Sequence, residues 1–92
     1  TGKIREGQVV NIKLANFSFM EFGQIAGTVR SISEVQNEND NYRVEVFLPK
    51  GLWTSYDKQI EYKPEMGGSA EIVTENLSIL DRIFNKLRAL VI

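Results

Sequence analysis

Hydrophobic and polar residues alternate along most of this 92-residue chain, and the period changes near its end. From Gln8 to Leu14, Val10, Ile12 and Leu14 fall on one face and Asn11 and Lys13 on the other. Such alternation predicts a half-buried strand. Val9 is the exception, an apolar residue on the polar face. Ala15 to Glu21 breaks the period and carries Phe17, Phe19 and Met20. The aromatics there either cap the end of a barrel or sit in a partner contact. Phe22 to Ser33 predicts a second, longer strand, with Ile25 and Val29 on the face of Gly23 and Gly27. Paired glycines inside a strand mark a bulge, a bend or a close backbone approach, and a bending strand suits a sheet that curls into a barrel. Strict alternation puts Ile32 on the wrong face; a bulge near Arg30 and Ser31 would return it to the core.

Beyond the polar, acidic stretch Glu34 to Asn41, Tyr42 to Leu48 alternates again, with Tyr42, Val44, Val46 and Leu48 on one face and Arg43 and Glu45 on the other. Pro49, Lys50 and Gly51 end that strand, and Leu52 to Lys58 reads as a loop bearing Trp53 and Tyr56. Gln59 to Tyr62 predicts a short strand, Lys63 to Gly68 a turn, and Ser69 to Thr74 a last strand with Ala70 and Ile72 inward. From Leu77 to Val91 the spacing becomes helical: Leu77, Leu80, Phe84, Leu87 and Val91 form one stripe, flanked by Ile79, Ile83 and Leu90. Ser78 with Asp81 resembles a capping box. The expected fold is therefore mainly β: a small antiparallel β-barrel-like domain over residues 1–76, closed by a C-terminal amphipathic α-helix over 77–92. Its apolar arc is wider than one contact surface requires, so the helix is expected to pack on the barrel and also on a neighbouring copy or another domain.

Composition narrows the function classes more than it names one. Eleven Lys and Arg against twelve Asp and Glu give a net charge of −1, without the basic excess of a nucleic-acid surface. The absence of cysteine and histidine removes thiol nucleophiles, thiolate and imidazole metal sites and His-based triads. An enzyme would have to use carboxylates, Lys or Tyr; Glu71 with Glu75, or Asp57 with Glu61, are the available pairs, and neither has a visible cause for a shifted pKa. Glu38, Asp40 and the neighbouring Asn residues resemble a calcium loop only loosely, lacking its glycine and terminal bidentate Glu. Gly67 and Gly68 are not followed by the Lys-Ser/Thr of a phosphate loop. No run of eighteen apolar residues is present. Opening on Thr1 without Met and ending on apolar residues, the chain reads as a piece of a longer protein.

Three stretches resemble the β-barrel domain of HlyD-type membrane fusion proteins, the periplasmic adaptor subunits. They are Glu6 to Leu14; Glu21 to Ser33, which follows the family's Tyr/Phe-Gly-x-x-x-Gly-x-Val-x-x-Ile-Ser pattern; and Pro64 to Glu75, which is similar to its Gly-Met-x-Gly-x-Ala-x-Ile segment. Glu65 stands where that segment has its first glycine. The resemblance implies a structural adaptor and no enzyme, cofactor or metal. It implies the periplasmic part of an inner-membrane-anchored protein, oligomerising around an ABC-type or related transporter and reaching an outer-membrane channel, in secretion or efflux. No nucleic acid is an expected partner; the alternative is a small-barrel binding module for nucleic acid or a small ligand, with aromatics as a stacking platform. No Lys lies in a lipoyl-type context, Lys63 included. The expected protein contacts are Trp53, Tyr56, Ile79, Ile83 and Leu90, and the expected structural glycines are Gly23, Gly27 and Gly67.

Overall fold

The computed structural model describes residues 4–34, 42–61, 66–74, 78–84 and 90–91. In chain order the elements are β1 (Val9–Leu14), a single helical turn α1 (Phe19–Phe22), β2 (Ile25–Glu34), β3 (Tyr42–Phe47), β4 (Gly68–Val73), β5 (Ile79–Phe84) and β6 (Leu90–Val91). They form one antiparallel sheet in the order β5-β4-β1-β2-β3-β6. The sheet curls as a half-barrel, and its end strands β5 and β6 approach each other without hydrogen-bonding. The mainly β, antiparallel reading holds.

The core follows the alternation. Val10, Ile12 and Leu14 of β1, Ile25 and Val29 of β2, Val44 of β3 and Ala70 and Ile72 of β4 are all buried, joined by Ile60, Met66 and Phe84. Register places the small residues where large neighbours need room: Gly27 lies opposite Val10, and Ala70 opposite Ile12. The register of β2 against β3 shifts between Val29 and Ser31. That bulge turns Ile32 inward, opposite Val44 and against the core, as its misplaced phase predicts.

Two expectations are corrected. Strand β2 begins at Ile25, not Phe22: Phe22 closes α1, and Gly23 leaves it with φ +83°. Gly23 thus ends a helical turn in a conformation that favours glycine, and does not bend a strand. The larger correction concerns the C-terminal helix. Ile79–Phe84 is a strand, paired residue by residue with β4 from Val73–Ile79 to Gly68–Phe84, and Leu90 and Val91 pair with Val44 and Arg43. Ser78 caps no helix; its carbonyl accepts the backbone N–H and the hydroxyl of buried Thr74 at 2.8 and 3.1 Å, tying the residue after β4 to the residue before β5. Leu80 and Phe84 lie on one face under either period, because a separation of four residues is even as well as close to one helical turn. What decides is β4. Its Ala70 and Ile72 are fully buried, and its backbone groups need a partner on the side away from β1. The β-branched Ile79 and Ile83 suit that partner strand. The sheet therefore crosses the expected boundary at residue 76. Leu77 and Leu87, also on the expected helical stripe, lie outside the described residues.

Candidate interaction surface

The first candidate surface is the loop after β3. Thr54 organises it. This residue is buried, its N–H donates to the Lys58 carbonyl at 2.8 Å, and its hydroxyl accepts the N–H groups of Tyr56 and Lys58 at 3.3 and 3.2 Å. Trp53 bridges to Gln59, and the Ile60 N–H donates to the Leu52 carbonyl at 3.0 Å. The expected strand at Gln59 is thus an isolated bridge, and Ile60 beside it anchors the loop in the core. Ser55 ties the loop to the start of β2: its N–H donates to the Gln24 carbonyl at 2.8 Å, and its Oγ accepts the Gln24 N–H at 3.1 Å. Gly23 makes that approach possible, because a Cβ there would run into Ser55 Oγ and lie 3.2 Å from the Tyr56 ring. Trp53 and Tyr56 are held by this framework yet remain 47% and 53% exposed.

The framework gives a direct expectation. Thr54→Val keeps the volume but leaves two loop N–H groups without their acceptor, which costs on the order of 1–3 kcal/mol. Backbone amide exchange at Tyr56 and Lys58 should accelerate well before exchange in β1 or β2. Unchanged exchange at both amides would show that the hydroxyl does not hold the loop.

Beside the loop lies the broken stretch before β2. The structure buries part of its large apolar side chains and leaves the others exposed. Phe17 packs on the core and meets Phe22 edge to face, with centroids 5.1 Å apart. Phe19 and Met20 are exposed, Met20 by 83%. Lys13 Nζ lies 4.6 Å from the Phe19 ring centre and Lys58 Nζ 5.1 Å from that of Phe22, both within cation–π range. Lys13 also holds Glu71 at 2.7 Å. Glu71 is therefore an ion-pair partner. Its expected companion Glu75 lies outside the described residues, as do Glu38 and Asp40. Asp57 and Glu61 are both exposed, and no group of three potential metal ligands occurs among the described residues.

The second surface is the outer face of the sheet. Ile79 and Ile83 project from β5 and are 57% and 76% exposed. Leu90, the other apolar contact expected here, pairs on β6 with buried Val44 and not with an outer-face residue, and its side chain lies outside the description. The register also carries an apolar row that sequence reasoning did not assemble. Ile79 opposes Val73, Val73 and Val9 stand one step past the Ile72–Val10 pair, Val9 opposes Thr28, and Thr28 opposes Phe47. Val9 and Phe47 are about half exposed. The signal was present in part: Val9 breaks the alternation of β1, and Phe47 falls on the face of Arg43 and Glu45. Only strand order shows that the two share a row with Ile79.

Of the glycines, Gly27 leaves no room for a Cβ between Val46, Leu48 and the Phe47 carbonyl, and the Gly67 carbonyl accepts the Ala15 N–H at 2.9 Å. Gly68, not singled out in sequence, is as constrained: a Cβ there would strike the Lys13 carbonyl oxygen. Among the described residues no helix is long and apolar enough to cross a membrane.

The described residues form a curled antiparallel sheet with exposed apolar positions on its outer face. The family model described as "AprE-like, beta-barrel domain" matches residues 1–75, and the chain belongs to that family, a branch of the HlyD-type membrane fusion adaptors. Members of this class are adaptors and not enzymes. No curated protein and no solved structure matches the chain.

Proposed function

We propose that this chain is the barrel segment of an adaptor linking an inner-membrane exporter, ABC-type or related, to an outer-membrane channel in secretion or efflux. The observation that carries this reading is family membership over residues 1–75. In this role the domain is the periplasmic part of an inner-membrane-anchored protein, and copies of it surround the transporter. Trp53 and Tyr56 on the docked loop, and Ile79, Ile83 and Leu90 on β5 and β6, are the proposed contact residues. The exposure of the first four supports that assignment. Exposed apolar side chains at fixed positions on a rigid sheet suit an interface core, where aromatic residues are enriched and charges depleted.

The test is site-specific photocrosslinking in cells that express the full-length adaptor. A photoreactive phenylalanine analogue replaces Trp53, Tyr56, Ile79 or Ile83 in turn. Products with the transporter or with a second adaptor copy are expected from these positions and not from Ile72, which is fully buried. Intact export with no product from any of the four positions would remove the contact assignment.

A further inference from the structure

The end strand β5 is hydrogen-bonded to β4 along its length, and no described strand is hydrogen-bonded to its other side. β6 comes near it but pairs with β3. Such an edge offers a row of N–H and C=O groups to any strand that can lie beside it. Its sequence is apolar at both ends, Ile79-Leu80 and Ile83-Phe84, and charged at the centre, Asp81-Arg82. Alternation sends these charges to opposite faces. Asp81 lies on the outer face between Ile79 and Ile83, opposite Glu71; Arg82 lies on the inner face between Leu80 and Phe84, opposite Ala70. Both are exposed, and Arg82 Nη1 donates to the Asp81 carbonyl at 3.4 Å. An inward-pointing charge in a strand whose neighbours on that face include buried Phe84 does nothing for the core.

Symmetry gives the pair a purpose. Two copies can close a dimer through this edge only if their β5 strands run antiparallel about a twofold axis normal to the sheet. That axis keeps outer face beside outer face, so an odd-numbered residue opposes an odd one and an even residue an even one. Two registers bring most of the strand together. The first is centred on Asp81 and joins residues 79–83 of each copy, placing Asp81 against Asp81 and Ile79 against Ile83. The second is centred on Arg82 and joins residues 80–84, placing Arg82 against Arg82 and Leu80 against Phe84. Like charges directly opposite on antiparallel strands destabilise the pairing. Registers centred on Leu80 or Ile83 escape the self-opposition but overlap over only 79–81 or 82–84. One charge alone would leave one long register open; one on each face closes both.

We infer that Asp81 and Arg82 guard the edge of β5 that no described strand pairs, preventing copies of this chain from joining edge to edge through β5. Contacts between copies are thereby directed to faces and loops. This depends on the register and not on the proposed function: an adaptor, a ligand-binding barrel or an isolated domain would carry the same guard.

The test uses the chain itself, with D81N/R82Q as the variant that removes both charges and keeps side-chain size. Light scattering coupled to gel filtration should show the variant self-associating at concentrations at least tenfold lower than the parent. Hydrogen exchange should place new protection on the β5 amides. D81N and R82Q alone should each open one register and associate to an intermediate degree. D81K restores like charges in the register centred on residue 81 and should behave as the parent does. A D81N/R82Q variant that melts like the parent and associates no more than the parent overturns the inference, as does a parent already dimeric with protected β5 amides. Should the double variant fail to fold, raising salt on the parent reads the same repulsion. At about 1 M the screening length falls to roughly 3 Å. Association with β5 protection should then rise, and the lack of any rise counts against the guard.

Discussion

Gly27→Val is expected to destabilise the domain by about 3 kcal/mol, at the upper end of what overpacking a tight core costs. A Cβ on Gly27 would stand 2.5 Å from Val46 Cγ1 and 2.8 Å from both Leu48 Cδ2 and the Phe47 carbonyl oxygen. The side-chain atoms could turn away in part. The carbonyl belongs to the β2–β3 ladder, with Phe47 paired to Thr28 and Val46 to Val29, and it cannot move without parting the strands. Valine adds a Cβ and two further methyl groups to a position that cannot take the Cβ alone, so Gly27→Ala should lose less than Gly27→Val, in the same direction. Domains of this size are typically stable by roughly 5–15 kcal/mol, so the valine variant should show a markedly lower urea midpoint. A midpoint equal to the parent's would mean that β2 and β3 can separate freely at this point.

The same residue shows how much of the fold could be read in advance. Two glycines in a strand-like stretch offered three meanings inside a strand, and the structure keeps only Gly27 in the strand. Gly27 marks a close approach inside β2, while Gly23 ends a helical turn and admits the Ser55 loop. No local pattern separates these, because both depend on atoms about twenty or thirty residues away. Alternation did reveal the inward faces of β1, β2 and β4, since a residue's face within a strand is set by its own neighbours. It also located the bulge, because Ile32 is too apolar for the phase it would otherwise occupy. The sequence named candidate contact residues one by one without showing which of them share a face. Trp53, Tyr56, Ile79 and Ile83 stand exposed, while the row that joins Ile79 to Val9 and Phe47 depends on strand order, which alternation within one strand does not encode.

Phe84→Ala is the second large effect, expected to cost about 3–5 kcal/mol, and it discriminates between the two periods that residues 77–91 can carry. Phe84 is 1% exposed and among the largest fully buried side chains, lying opposite Gly68 at the foot of β4. Gly68 has no side chain to fill the space that alanine would leave, and its backbone is held in register opposite Leu14 of β1. The surroundings are therefore poorly able to collapse into the cavity, which sets the cost toward the upper end of the range. The neighbouring Ile83 provides the control. It is 76% exposed on the outer face, and Ile83→Ala should change stability by no more than about 0.5 kcal/mol. A C-terminal helix laid on a finished barrel would predict a different result: Phe84 and Ile83 would both lie within its wide apolar arc, and losing either would loosen the helix while the barrel stayed folded. In the sheet, Phe84 is part of the single core, so its loss should lower the one cooperative transition seen by Trp53 fluorescence and by far-ultraviolet circular dichroism together. Separate transitions for the two probes in Phe84→Ala would show that β5 is an appendage and not a strand of the barrel.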